Sequence, residues 1–177
     1  MRVSLPDRLV EPDNFAAKIN IFFINSIDFF IFFIFVCMNW FNTISENDKI
    51  KVFDPIRKIY CILTPEEEVR QKTLYYLVEK KRYPVGRIAV EYSIRVNNLP
   101  KRCDIVVFNK TARPVMIVEC KAETIPITQK VLDQAIRYYS GLNADYLLLT
   151  NGKTMFCYHI DVENKKIEAM KEVPNIN

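Results

Sequence analysis

The sequence predicts an α/β fold in which a central sheet is flanked by helices, with the elements in the order α-β-β-β-α-β-β. Three observations predict it. Two stretches have helical apolar periodicity, three apolar segments joined by short polar linkers lie between them, and two strand-like runs flank Asn151-Gly152. Thr64-Pro65-Glu66-Glu67 reads as a helix start, with Thr64 as cap, Pro65 at the first helical position and Glu67 where a capping box places its acid. The segment that follows, EVRQKTLYYLVEKKR, aligns Val69, Leu74, Tyr76, Leu77 and Val78 on one stripe, and the helix ends near Tyr83-Pro84 and Gly86. Strands are expected at Ile88–Val96, Cys103–Asn109 and Pro114–Cys120. Their linkers, NNLPK and KTAR, are short enough to make sequential antiparallel pairing the economical arrangement. Thr128 opens a second helix, VLDQAIRYYS, with Val131, Leu132 and Ile136 as its apolar stripe and Gly141 as its stop. Strands at Asp145–Thr150 and Thr154–Asp161 close the pattern as a hairpin turning at Asn151-Gly152. Gly152-Lys153-Thr154 is not the end of a phosphate-binding loop, because position 147 is Leu where that loop requires Gly.

Half of the 177 residues are apolar, enough for one domain with a real core. The net charge of +4 is compatible with a polyanionic partner without requiring one. Five cysteines, odd in number and never in a CxxC pair, argue against a disulfide framework and a zinc site, and fit a reducing cytoplasmic setting. The single histidine, His159, sits in a regular strand and reads as structural, which removes most His-based catalysis from consideration.

Residues 1–45 form a hydrophobic extension ahead of a domain at 46–177. Sixteen of the twenty residues from Ile19 to Met38 are apolar, almost all Phe or Ile, but Asn20, Asn25, Ser26 and Asp28 interrupt them. Three readings stand: translation begins at Met38, the run anchors the chain in a membrane, or it packs on the domain as a helix.

The chemistry concentrates in MIVECKAE, residues 116–123. Strand alternation puts Glu119 and Lys121 on one face and turns Cys120 away. Asp104 stands at the start of the preceding apolar strand, so hairpin pairing brings it beside Glu119. Two carboxylates with a lysine beside them supply what hard-cation chemistry needs: oxygen ligands for Mg²⁺ and a cation that orients an attacking water or helps deprotonate it. The plainer alternative is an acid and a base paired on an exposed strand face, with Asp104 only a turn residue.

The stretch KRCDIVVFNKTARPVMIVECKAETIPITQKVLDQAIRYYSGLNADYLLLTNG, with FDPIRKIYCILTPEEEVRQ and RIAVEYSIRV upstream, is similar to the N-terminal domain of type I restriction enzyme R subunits. The similarity is to the short stand-alone form within the PD-(D/E)XK nuclease superfamily, and it covers roughly residues 52–161. It implies a restriction-endonuclease-like core with a mixed central sheet, and a deoxyribonuclease using Mg²⁺, with Mn²⁺ as a substitute. The superfamily's two acids fall on Asp104 and Glu119, its lysine on Lys121 and its metal-binding carbonyl on Cys120. The QxxxY signature falls on Gln134 and Tyr138, and the helix-one acid on Glu67 or Glu66. Cys103 stands where the superfamily name expects proline. Arg102, Lys130 and Arg137 are the candidate phosphate contacts. DNA is the implied partner, with a protein partner supplying any specificity and a homodimer where both strands are cut. The alternative is a non-catalytic nucleic-acid-binding or assembly module of the same fold. Membrane association follows only if residues 19–38 insert.

Overall fold

In Lys49–Asp54, KIKVFD, Ile50, Val52 and Asp54 fall in one alternation phase. This segment is the central strand, β2, of a small antiparallel sheet, between β1 (Thr43–Glu46) and β3 (Ile59–Ile62). The structure, a computed structural model, describes residues 40–96, 99–139, 142–161, 163–164 and 166–176. The apolar run at 19–38, the start at Met38 and the stop at Gly141 lie outside the described residues, as do the side chains at 96, 99, 138 and 139. Asn47 and Asp48, with φ of 51° and 58°, make the two-residue turn from β1 to β2 that the right-handed strand twist favours. Asp54, fully buried, organises the next turn by accepting the backbone N–H groups of Ile56 and Arg57, each at 2.8 Å. This sheet adds three strands ahead of the expected order, and the boundary placed between residues 45 and 46 falls inside β1.

Helix α1 (Pro65–Tyr75) starts where expected, with the Thr64 hydroxyl accepting the Glu67 N–H at 3.1 Å. The capping box is only half made. The Glu67 carboxylate turns inward to Arg57, Arg70 and Gln71, and the Thr64 N–H donates to the Ile62 carbonyl instead. Val69, Leu74 and Leu77 are buried as the stripe predicts, and the helix runs on through a π-helical turn at Tyr76–Lys80.

The main sheet has six strands in the order β4 (Ile88–Val96), β5 (Leu99–Phe108), β6 (Pro114–Cys120), β7 (Tyr146–Thr150), β8 (Met155–Asp161) and β9 (Lys166–Met170). Every neighbouring pair is antiparallel except β6 with β7, which are parallel because α2 (Gln129–Tyr139) crosses between them. The described residues therefore form a mixed α/β fold with two sheets and two helices, and β9 is a further strand beyond the expected set. The hairpin near residue 151 is real, but Thr150 pairs with Met155, so its loop spans four residues and not two. The Asn151 side-chain oxygen closes that loop by accepting from Lys153 N, Thr154 N and the Thr154 hydroxyl, and Gly152 supplies a φ of +82°.

Apolar side chains from β5 to β8 alternate between two clusters. One, on the α1 side, holds Val69, Leu74, Ile105, Val107, Val118, Cys120 and Leu148; the other, on the α2 side, holds Val106, Ile117, Leu132, Ala135, Leu147 and Leu149. His159 lies in β8 with its ring 5.3 Å from that of Tyr146, a packing position.

Candidate active site

The alternation of β4 and β5 breaks at one level. Ile88 and Val90 pack on the α1 side while Ile94 packs on the α2 side. Likewise Ile105 and Val107 are on the α1 side and Cys103 is on the other. The switch occurs at Glu91 and Asp104, the one level at which the β4–β5 pairing is interrupted. Glu91 has φ of 51°, a left-handed conformation that costs a non-glycine residue energy and clusters at functional positions. A strand that changes face here can turn both carboxylates toward α1.

The β5–β6 register pairs Ile105 with Val118, and continuing it by one residue sets Asp104 opposite Glu119. The ladder gives way to the Asp104 side chain, whose Oδ2 accepts the Cys120 N–H at 2.7 Å. One residue past the end of β6, the Lys121 ammonium donates to Glu119 Oε1 at 2.5 Å, as the shared face requires. Burial pulls the Lys121 ammonium down, but the Glu119 hydrogen bond and the fields of Glu119, Asp104 and Glu66 outweigh it and hold its pKa above the ordinary value. Asp104, Glu119 and Lys121 thus share one electrostatic neighbourhood. Burial, with the fields of Glu119 and Asp104, also pushes the Cys103 thiol up to about 12.

Helix α1 presents a second layer of charge to the same place. Arg70 donates to Asp104 Oδ1 at 2.7 Å and to Glu67 Oε2, and lies 3.5 Å from Glu66 and 4.0 Å from Glu91. Burial works against its charge, but Asp104 and Glu67 more than compensate and raise its pKa further. Arg57, from the β2–β3 turn, donates to Asp54, Glu67 and Glu91, each at 2.6 Å. The buried Gln71 amide donates to both Asp54 and Glu67. Of the two candidate helix-one acids, Glu67 is buried at the centre of this layer and Glu66 is at its solvent edge.

Six carboxylates, those of Asp54, Glu66, Glu67, Glu91, Asp104 and Glu119, stand against the cations Arg57, Arg70, Arg102 and Lys121. The surplus of two negative charges is what one divalent cation would neutralise. Each Asp104 oxygen accepts one hydrogen bond and keeps a lone pair, so hard oxygen donors for Mg²⁺ are present. Asp54, Cys61 and Glu67 also bring potential ligand atoms within 4.8 Å of one another, but Arg57 already bonds both carboxylates and supplies the positive charge there.

The remaining expected residues are dispersed. Arg102 is exposed and lies 3.2 Å from Glu91 at the rim of the cluster. Lys130, Gln134 and Arg137 are exposed on α2, and Gln134 makes no hydrogen bond among the described residues. Tyr138 is on α2, with its side chain outside the described residues. Asp54, Arg57, Arg70, Gln71 and Glu91 are absent from the expected set. Arg70 and Gln71 near a helix start and a glutamate in the polar phase of β4 all read as solvent-facing. Two cavities, of about 240 and 430 Å³, are lined around Tyr76 and Cys157 and around Arg87 and Phe108, and neither touches Asp104, Glu119 or Lys121. Among the described residues no helix is long and apolar enough to cross a membrane.

Searches of the curated proteins and of the solved structures each returned no match. A family model does match, over residues 65–174, from the start of α1 to beyond β9, a span that includes Glu67, Arg70, Glu91, Asp104, Glu119 and Lys121 but not β1–β3. With more than half of its length covered, the chain belongs to the family described as type I restriction enzyme R protein N terminus (HSDR_N).

Proposed function

We propose that this domain is a metal-dependent deoxyribonuclease of the PD-(D/E)XK type, built on a restriction-endonuclease-like core. The observation that supports this best is the position of Asp104, opposite Glu119 by register and within the field felt by the Glu119-paired Lys121, in a chain of a restriction-enzyme family. Asp104, Glu119 and the Cys120 carbonyl would hold Mg²⁺ or Mn²⁺. When bound, the metal would polarise a phosphoryl oxygen and lower the pKa of a coordinated water. Lys121, kept protonated by its neighbours, acts as a cation that orients the water and offsets charge on the phosphate. Arg102 at the rim and Lys130 and Arg137 on α2 contact DNA phosphates flanking the scissile bond. Restriction-enzyme membership supports DNA and a partner subunit as ligands, with sequence choice supplied by that subunit, and double-strand cutting would take a homodimer.

A second reading has an observation behind it. Both Asp104 oxygens are held by protein donors and Gln134 is turned to solvent, as in a module that binds nucleic acid or a subunit without cutting. The deciding experiment is cleavage of plasmid and single-stranded DNA by the 177-residue chain and its Lys121→Ala variant in Mg²⁺, Mn²⁺ and EDTA. The nuclease reading expects metal-dependent nicking that falls by about 10²–10³-fold in the variant. DNA binding without cleavage in any metal would favour the second reading.

A further inference from the structure

We infer that Arg57 is the positioning residue of this site, acting on Asp104 through Glu67 and Arg70. The inference rests on Asp104 being an acid of the proposed active site. Arg57 lies ahead of the family-matched segment, on the turn between β2 and β3, so the small sheet belongs to the site and not merely beside it. Its guanidinium joins three acids from three elements: Asp54 at the end of β2, Glu67 in α1 and Glu91 in β4. Only a planar fork with five donors can make these bonds together; a lysine at this position has the charge but not the geometry.

From Glu67 the chain of contacts has one direction to go. Oε1 of Glu67 is taken by Arg57 and Gln71, which leaves Oε2 to fix Arg70. Arg70 in turn fixes Asp104 Oδ1, while the Cys120 N–H fixes Oδ2. No hydrogen bond or ion pair links Arg57 to Asp104 directly. A parallel route exists through Glu91, which Arg57 bonds and which stands at the face switch opposite Asp104. Asp54 anchors the near end. It is fully buried and its carboxylate receives four donors, two from the backbone of its own turn and one each from Arg57 and Gln71. Outer partners of this kind set the orientation of a metal-binding carboxylate without touching the metal.

The test is a double-mutant cycle in the 177-residue chain, with Arg57→Ala and Asp104→Asn separately and together, read as unfolding equilibrium constants in urea. The relay predicts that the two single effects fail to multiply, by about fivefold or more, although the residues do not touch. Arg113→Ala, which breaks the exposed pair with Asp145, serves as the control partner and should combine multiplicatively with Asp104→Asn. Multiplicative behaviour of Arg57 with Asp104 would overturn the relay. Should Arg57→Ala not fold, Arg57→Gln takes its place. Mn²⁺ binding supplies the second readout. Arg57→Ala should weaken it by about 10- to 100-fold, Arg57→Lys should not restore it, and guanidinium well below unfolding concentrations should restore part of it. Equal Mn²⁺ affinity in wild type and Arg57→Ala would also overturn the positioning role. A coupled cycle in a wild type that neither binds Mn²⁺ nor cuts DNA would instead overturn the nuclease reading, and with it what Arg57 positions.

Discussion

Helices α1 and α2 have eleven residues each and cover opposite sides of the same sheet, yet they obey different rules. Helix α2 buries Leu132 and Ala135 and sends Asp133, Gln134 and Arg137 to solvent, as an amphipathic surface helix should. Helix α1 buries Val69 and Leu74 but also Glu67, Arg70, Gln71 and Thr73. Buried charge is tolerated only when paired and hydrogen-bonded, and α1 pairs its charges with carboxylates and a guanidinium from β2, β4, β5 and the β2–β3 turn, leaving Arg70 Nε and Gln71 Oε1 buried without a partner among the described residues. The difference teaches where local rules are broken: buried charge gathers on the α1 side beside Asp104, while α2 packs as an ordinary amphipathic helix.

The comparison is broken most severely by removing charge from α1. Arg70→Ala would leave Glu67 and Asp104 without their shared partner and should destabilise the fold by about 3–5 kcal/mol. Gln134→Ala on α2 should stay within about 0.5 kcal/mol of wild type. Urea denaturation of both variants measures the contrast, and similar losses would mean that the buried ion pairs contribute no more than a surface amide. Apolar truncation should erase the asymmetry. Leu74→Ala and Leu132→Ala each empty a fully buried position and should each cost about 2–5 kcal/mol by the same assay. A large gap between them would show that one side of the sheet packs loosely.

The smallest effect concerns pH and tests both sides at once. Burial raises the thiols of Cys103 on the α2 side, to about 12, and of Cys120 on the α1 side. An unfolded thiol gives up its proton near 9.0 while the folded one keeps it, so stability present below that pH falls as the solution becomes more alkaline. Lys121 adds to the loss. Its raised pKa stabilises the fold below 10.5, and that contribution disappears as pH rises through the folded value. Thermal melts from pH 8.5 upward should show a steady decline that is shallower in Cys103→Ala; identical slopes would remove Cys103 as a cause.

Much of the frame is legible from the chain. The bounds of Ile88–Val96 and Pro114–Cys120 agree with the strands found, because segments rich in apolar and β-branched residues between short polar linkers leave few other options. The three-stranded sheet was harder to read. β1 is short and fully exposed, and β3 is a four-residue apolar run, IYCI, in which only Cys61 is half-buried, so the sequence of neither reports how it packs. β9, KIEAM, is a polar edge strand with the same difficulty. At the site, Asp104, Glu119 and Lys121 could be found because two of them sit two residues apart on one strand and the third follows from a hairpin. Arg57, Arg70 and Glu91 could not be found this way, since each has the residue type and phase of a solvent-facing position.

What the sequence by itself determined is therefore everything carried by contacts between near neighbours. These include the period of α2, the Thr64 cap, the hairpins, and Glu119 with Lys121 on one face. Only the tertiary structure decided that Arg57 meets Glu91 and that Arg70 meets Asp104, each across 34 residues, and that β4 and β5 change face where those carboxylates stand. The physical reason is the cost of burial. A charged side chain carries no mark of whether it will be solvated or enclosed, and it can be enclosed only where distant segments bring opposite charges to meet it.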